Sequence, residues 1–461
     1  MSPTDRGETT LRRTKACVGV AAALVAAATG GLIGPVMPAA QAVVSPSAQV
    51  VLDWNLNAVT AVRASTPTKF QIEGLIYMSY VQAAVYDAVT KIEGRYVPYH
   101  DFAADPTGAS PEAAVVSAAY NTLVAYLGDP AGTLLTAYNA SLAGLPDAGR
   151  AAGIAVGKAA SDDIVALRAG DGRNAVISTP YGAGPLTPGL WIFAPPPSAQ
   201  SAQTPWVAFM TPFMLTSSSQ FRPDKPPSLL SRRYTRDFNE VKAYGGDGVT
   251  TPSARTPEQT AVAQFWNANA INADNQTLRD AASAHSMDLV DTARLLAMGV
   301  LVEADTGIAC FDAKYAYTFW RPVTAIRNAD IDGNGRTEAD PTWTPLLTTP
   351  NHPEYPAAHG CLTAALGEAL AVGLGTRHIN VDMPGATGGL TTLTTSRHYD
   401  TVKQLDREIV NARVWAGLHY RTSGKVGVEL GKDVARWTLH RYFRPVHHES
   451  DDDHESEGGD E

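Results

Sequence analysis

Cysteine is nearly absent: three residues in 461, at positions 17, 310 and 361. None belongs to a CxxC pair, so the thiolate zinc sites and dithiol redox sites that need that spacing are excluded. Other signatures are missing too. There is no GxGxxG, no Walker phosphate loop, no GxSxG elbow and no HExxH. Dinucleotide, nucleoside triphosphate, serine-hydrolase and zincin chemistries therefore have no foothold. No basic stripe interleaved with aromatics is present, which argues against a nucleic-acid partner. Beyond residue 42 no apolar run approaches the ~20 residues that a membrane span requires. A membrane partner is therefore not expected once the leader is gone.

The formal charge of −10 is concentrated at one end. Residues 449–461 hold eight acids and no Lys or Arg. We read 447–461 as a disordered acidic tail. Its histidines, His447, His448 and His454, are read as part of that solvated run. At the other end, Arg12, Arg13 and Lys15 precede a weakly hydrophobic Ala/Gly-rich stretch over 16–33, followed by Ala40-Gln41-Ala42. That order reads as an export signal, residues 1–42, and predicts a secreted or cell-envelope protein. Residues 43–446 are expected to form one domain, and 44% hydrophobic content is ample for a large core.

The pattern is mostly helical. Apolar residues recur at three- and four-residue spacing over 70–92. Ser110-Pro111-Glu112 is a helix start, with proline at the first helical position. Thr256-Pro257-Glu258 is another. Further helices are expected over 131–143, 148–169, from 233, over 286–317, 356–374, from 401 to the region of 419, and 424–442. The fold class is all-α, a helical bundle interrupted by a long Pro/Gly-rich segment over 174–232. A segment of that length either covers a functional site or wraps the surface.

The informative stretch lies between 309 and 421. Lys314 and Arg321 are seven apart, which on one helix puts them on one face, about 10 Å apart along the axis. Pro322 pushes Arg321 out of helical geometry. Pro356 is placed as the first residue of the next helix, leaving the N–H groups of Ala357, Ala358 and His359 unsatisfied at its positive end. Arg413, Gly417 and His419 follow. Three cations and several histidines among apolar residues are expensive to bury without a counter-charge. The inferred counter-charge is a small oxyanion.

Three segments carry a resemblance: Lys-Tyr-Ala-Tyr-Thr-Phe-Trp-Arg-Pro from Lys314, His-Pro-Glu-Tyr-Pro-Ala-Ala-His-Gly from His352, and Ala-Arg-Val-Trp-Ala-Gly-Leu-His-Tyr-Arg from Ala412. The pattern Lys-x6-Arg-Pro, Pro-x-x-His, Arg-x5-His resembles the superfamily of vanadium-dependent haloperoxidases and type 2 phosphatidic acid phosphatases, in its secreted bacterial branch. The resemblance implies a helical fold around a four-helix bundle. It implies that Lys314, Arg321, Arg413 and the Ala358 N–H hold the equatorial oxygens of vanadate or phosphate. His419 would be the apical ligand to vanadium, or the nucleophile toward phosphorus in the phosphatase alternative. His359 would act as acid-base at the opposite apical oxygen. His352 stands where bromide-oxidising members also have a histidine, and would deprotonate hydrogen peroxide. The implied small molecules are hydrogen peroxide, a halide (bromide first) and an organic acceptor, or else a phosphate ester. A non-catalytic oxyanion-binding protein is a third reading.

Two positions depart from the family pattern. Ala357 replaces a serine whose hydroxyl would donate to the anion. Ser423 replaces an aspartate that would orient the last histidine. Elsewhere, Asp330, Asp332 and Asn334 with Gly335 resemble the first half of a calcium loop, but Pro341 sits where a bidentate glutamate belongs. A plain turn explains the motif equally well. Cys310 and Cys361 flank the motifs and would either bridge two walls of the site or stay buried as thiols.

Overall fold

A computed structural model describes residues 46–194, 201–386 and 393–446. The proposed export signal over 1–42 and the acidic tail over 447–461 lie outside the described residues. Thirteen α-helices and one two-stranded sheet are found among them. The helices are α1 (Pro46–Ala64), α2 (Gln71–Glu93), α3 (Pro111–Leu127), α4 (Thr133–Ala143), α5 (Arg150–Leu167), α6 (Arg232–Tyr244), α7 (Pro257–Phe265), α8 (Ala270–Ala284), α9 (Leu289–Tyr317), α10 (Pro322–Arg327), α11 (Ala358–Gly373), α12 (Val402–Trp415) and α13 (Arg421–Leu439).

Local chemistry sets many of the boundaries. Ser110 Oγ accepts the Ala113 N–H at 3.2 Å and opens α3. Thr256 with Gln259, and Thr401 with Gln404, form reciprocal capping boxes at α7 and α12. Helix α9 is the axis of the bundle. Between Leu289 and Tyr315 only Asp291 and Arg294 escape burial, so α9 must be packed on every side. Its neighbours are α1, α2, α8, α11 and α13. Helix α13 lies close along α11 because Gly427 faces the carbonyl of Ala357. A Cβ there would sit 2.6 Å from that oxygen.

The Pro/Gly-rich segment is a wrap fastened to one flank of α9. Asp305 accepts the N–H groups of Phe213, Met214 and Leu215 at 2.6, 2.7 and 2.9 Å. Two turns later Asp312 takes both nitrogens of Arg222 at 2.6 Å. Tyr315 and Tyr317 donate to the carbonyls of Gln203 and Pro223. Buried carboxylates on α9 thus satisfy backbone that has no secondary structure of its own.

Several expectations need correction. Strands β1 (Val381–Gly385) and β2 (Thr395–Tyr399) form an antiparallel pair, Val381 opposite Tyr399, that no periodicity announced. Pro356 lies outside α11, whose N-cap is Ala357 and whose first residue is Ala358. The Ala357 N–H is satisfied by Ser423 O at 3.1 Å, so the uncapped amides at that end begin at Ala358. Helix α12 ends at Trp415, because Gly417 takes a left-handed φ of +77° and reverses the chain. Arg413 and His419 therefore sit on different elements, and α13 begins at Arg421 rather than 424.

The calcium reading gains no support. Asp332 accepts the Asn334 N–H and the Thr337 hydroxyl, both at 2.7 Å. Asn334 spends its amide on Leu229 O and Thr235. The side-chain oxygens of Asp332 and Asn334 are spent within a turn, and no cluster of three or more His, Cys, Asp or Glu fit for a metal ion occurs among the described residues. Cys310 and Cys361 are free, fully buried thiols in one small cluster with Ala309 and Leu215.

Candidate functional site

The segment from Pro350 to His359 runs between α9, α10 and the start of α11, and it organises the site. Lys314, in the last turn of α9, is fully buried. A buried ammonium must spend each N–H on an acceptor. Lys314 Nζ gives its three to Pro353 O (3.0 Å), Glu354 O (3.0 Å) and Pro356 O (2.6 Å). Arg321 caps α10 and is also fully buried. Its Nε donates to His352 O at 3.0 Å and one terminal nitrogen to Leu418 O at 3.0 Å. Two further contacts reach the histidines: 3.1 Å to His419 Nε2 and 3.1 Å to His352 Nδ1. The expected shared helical face is not how Lys314 and Arg321 meet. α9 ends at Tyr317 between them, and each is fastened to loop carbonyls.

His419 is 2% exposed, and its tautomer follows from its partners. Nδ1 lies 2.9 Å from Glu354 Oε1. Nε2 faces Arg321, which has only protons to offer. Nδ1 therefore carries the proton, and Nε2 presents a lone pair. Burial first, then Arg321 and Lys314, holds this imidazole well below the usual histidine range, so it is neutral.

Glu354 is the residue that sequence reasoning left without a role. It is fully buried, and Oε1 accepts both His419 Nδ1–H and the Tyr420 N–H at 3.0 Å. Burial pushes its carboxyl up to about 7, against the pull of Lys314, Arg321, the Tyr420 amide and Ser423. The carboxylate missing at Ser423 is thus supplied from position 354. A lone acid between prolines in an apolar stretch was the available signal.

A cavity opens in front of these groups. Of the predicted site residues, His352, Ala358, His359, Arg413 and His419 line it, alongside Phe70 and Phe311. Lys314 and Arg321 stand behind that lining. No described residue of the 174–232 wrap lines it, so that segment backs the walls and is not its cover. Asp330, Asp332 and Asn334 lie outside the site. Arg413 donates to Trp266 O at 3.2 Å, while its Nε, buried, has no partner. Burial with Arg321 nearby pulls this guanidinium down to about 9, and no carboxylate opposes the shift. Lys314 falls to about 8 and Arg321 to about 10, both chiefly through burial. His359 Nε2 is likewise buried and unpartnered. Burial holds His352 and His359 well below the usual range.

Residues 294–448 match the model of the vanadium chloroperoxidase second helical-bundle domain. This part of the chain is similar to that family. A curated vanadium chloroperoxidase from Curvularia inaequalis is 25% identical over 219 residues, 40% of this chain and 35% of the relative. The match thus spans about a third of that relative's length. Over a larger share the fold is that of the bacterial vanadium haloperoxidases. A crystal structure described as the first bacterial vanadium-dependent iodoperoxidase superposes with a TM-score of 0.70 at 21% identity, over 88% of this chain and 98% of that one. An apo-type bacterial vanadium-dependent chloroperoxidase gives 0.63 at 20% identity, over 80% and 93%. The matched region of the vanadium chloroperoxidase family contains Lys314, Arg321, Glu354, His359, Arg413 and His419 together.

Proposed function

We propose that the protein binds vanadate in this cavity and oxidises halide, bromide first, with hydrogen peroxide. One observation carries the reading: His419 is held neutral, its Nε2 lone pair turned to Arg321 beside a cavity with three buried cations, of which Lys314 and Arg321 share the single carboxylate of Glu354 and Arg413 has none. That is the donor set for a multiply charged oxyanion centre with one nitrogen ligand. The orphaned Arg413 Nε and His359 Nε2 are polar atoms of the kind that oxygens of a tetrahedral ion satisfy. Arg413 and the Ala358 N–H would hold the ion from the cavity side, and Arg321 from behind. Vanadate, when bound, supplies the Lewis-acidic centre at which peroxide is activated toward halide.

The chain's own residues supply orientation and protons. Glu354 fixes the His419 tautomer. His359, neutral, exchanges protons with the oxygen it faces. His352, also neutral and lining the cavity beside Phe70 and Phe311, can take a proton from entering peroxide. Lys314 fixes the loop that carries His352 and Glu354. In keeping with the leader's composition, we place this activity outside the cytoplasm.

The same lone pair suits phosphoryl transfer, so the test runs both reactions. Purified protein is incubated with orthovanadate, and bromination with hydrogen peroxide is measured beside phosphate ester hydrolysis. Vanadate-dependent bromination is the expected result. Ester hydrolysis that vanadate inhibits, without bromination, overturns the reading in favour of a phosphatase using a phospho-His419. Vanadate binding without either turnover leaves an oxyanion-binding protein.

A further inference from the structure

Beside the main cavity lies a second, smaller cleft. The two share Gln71, His359 and Leu362 as lining residues. The second is otherwise largely apolar, with Phe265, Trp266, Met383 and Pro384, yet it carries one acid, Asp274 of α8. Asp274 is 6% exposed, and its carboxyl acts on that of Glu303 of α9, which is fully buried. Neither oxygen of Glu303 has a hydrogen-bond partner among the described residues.

Two neighbouring carboxyls in a dry interior are not both ionised, so at least one proton stays with the pair. Nothing but burial and the partner carboxyl acts on either acid. From α11, His359 shares the cleft and is the other titratable group of its lining; α2 contributes Gln71, and β1 the uncharged Met383 and Pro384. A structural role would call for a cation or a ring of donors, as Asp305 has. Asp274 and Glu303 have neither. What they do have is Asp274 in the lining of a cleft that His359, its Nε2 unpartnered, also lines.

We propose that Asp274 and Glu303 are a proton relay that feeds His359 through this cleft. The inference rests on the peroxidase reading, because that reaction consumes protons. One hydrogen peroxide, one bromide and one proton give hypobromous acid and water. Bromide loses two electrons, and the peroxide O–O bond takes them and breaks. The proton that completes the water passes from the carboxyl pair across the cleft to His359. The pair is then refilled from solvent at the cleft's mouth.

The test compares the wild type with Glu303→Gln and Asp274→Asn, which keep shape and hydrogen bonding. In the vanadate-free wild type, infrared difference spectra should show the carbonyl band of a protonated carboxyl, lost in Glu303→Gln. In the vanadate-loaded enzymes, kcat for bromide oxidation should fall about tenfold or more toward alkaline pH in both variants. KM for bromide and the vanadate-induced thermal shift should stay as in wild type. If the wild type brominates and the variants keep its kcat at every pH, the relay is wrong and the peroxidase reading stands. A wild type lacking the carboxyl band also overturns the relay. A wild type that does not brominate removes the peroxidase reading, and the relay with it.

Discussion

Replacing Arg413 with Met should move stability and anion binding in opposite directions. The guanidinium is 2% exposed, and no carboxylate faces it. A fall from 12.5 to about 9 corresponds to a penalty of roughly 5 kcal/mol on keeping it charged. Relaxation and water entry reduce that, and losing the bond to Trp266 O costs about 1 kcal/mol. A net gain of about 1–2 kcal/mol is therefore expected for the vanadate-free variant. With about 2.1 cal/mol/K of unfolding entropy per residue, that raises Tm by roughly 1–2 °C. Anion affinity should fall by the worth of a charge-assisted hydrogen bond, about 1.5–3 kcal/mol, or roughly 10- to 150-fold. In the wild type, orthovanadate at about 100 times its Kd adds about 2.7 kcal/mol of stability. The same concentration should add only about 0.3–1.4 kcal/mol to the variant. The assay is a thermal scan with and without orthovanadate, backed by titration calorimetry. A variant less stable than wild type, with its vanadate shift intact, would refute the argument: Arg413 would then be a structural donor.

Other consequences can be measured on the same material. His419→Ala should cut bromination by at least about a hundredfold and lose vanadate binding, because no other imidazole presents a lone pair held by Glu354. Turnover surviving that change removes His419 from the chemistry. Glu354→Gln tests the raised carboxyl. A folded value of about 7 against an ordinary 4.5 stabilises the protonated form; the contribution is whole below pH 4.5 and is lost as pH rises through about 7. Denaturant curves of the vanadate-free variant should therefore be flatter than wild type across that window, and equal slopes would show that Glu354 does not titrate there. Ala357→Ser should tighten vanadate about 2- to 10-fold, the worth of one neutral hydrogen bond, read by calorimetry. No gain would mean that the new hydroxyl turns to the α11 amides instead.

Most of the helices could be read from the chain, because capping residues and apolar spacing agree with the packed structure at α2, α3, α7 and α9. The site residues were legible as a set, since cations in an apolar setting are conspicuous. Their geometry was not. Spacing put Lys314 and Arg321 on one helix face, whereas a helix end at Tyr317 and seven carbonyl and histidine contacts decide where their nitrogens point. Glu354 had no visible role because its partner is 65 residues away. Helical spacing likewise overran the left-handed Gly417. The five-residue strands, one of them carrying Pro384, had too little alternation to register.

The scarcity of carboxylates around Lys314, Arg321 and Arg413 has a practical corollary. Charge alone gives such a pocket little means of telling one tetrahedral oxyanion from another, so phosphate in the surroundings competes for the same seat. In the proposed reading, only a nitrogen ligand at His419 would favour a metal centre over phosphorus. Material grown or purified in phosphate should therefore reach its working state slowly, at the pace of ion exchange, and the same protein handled in an amine buffer should load vanadate at once.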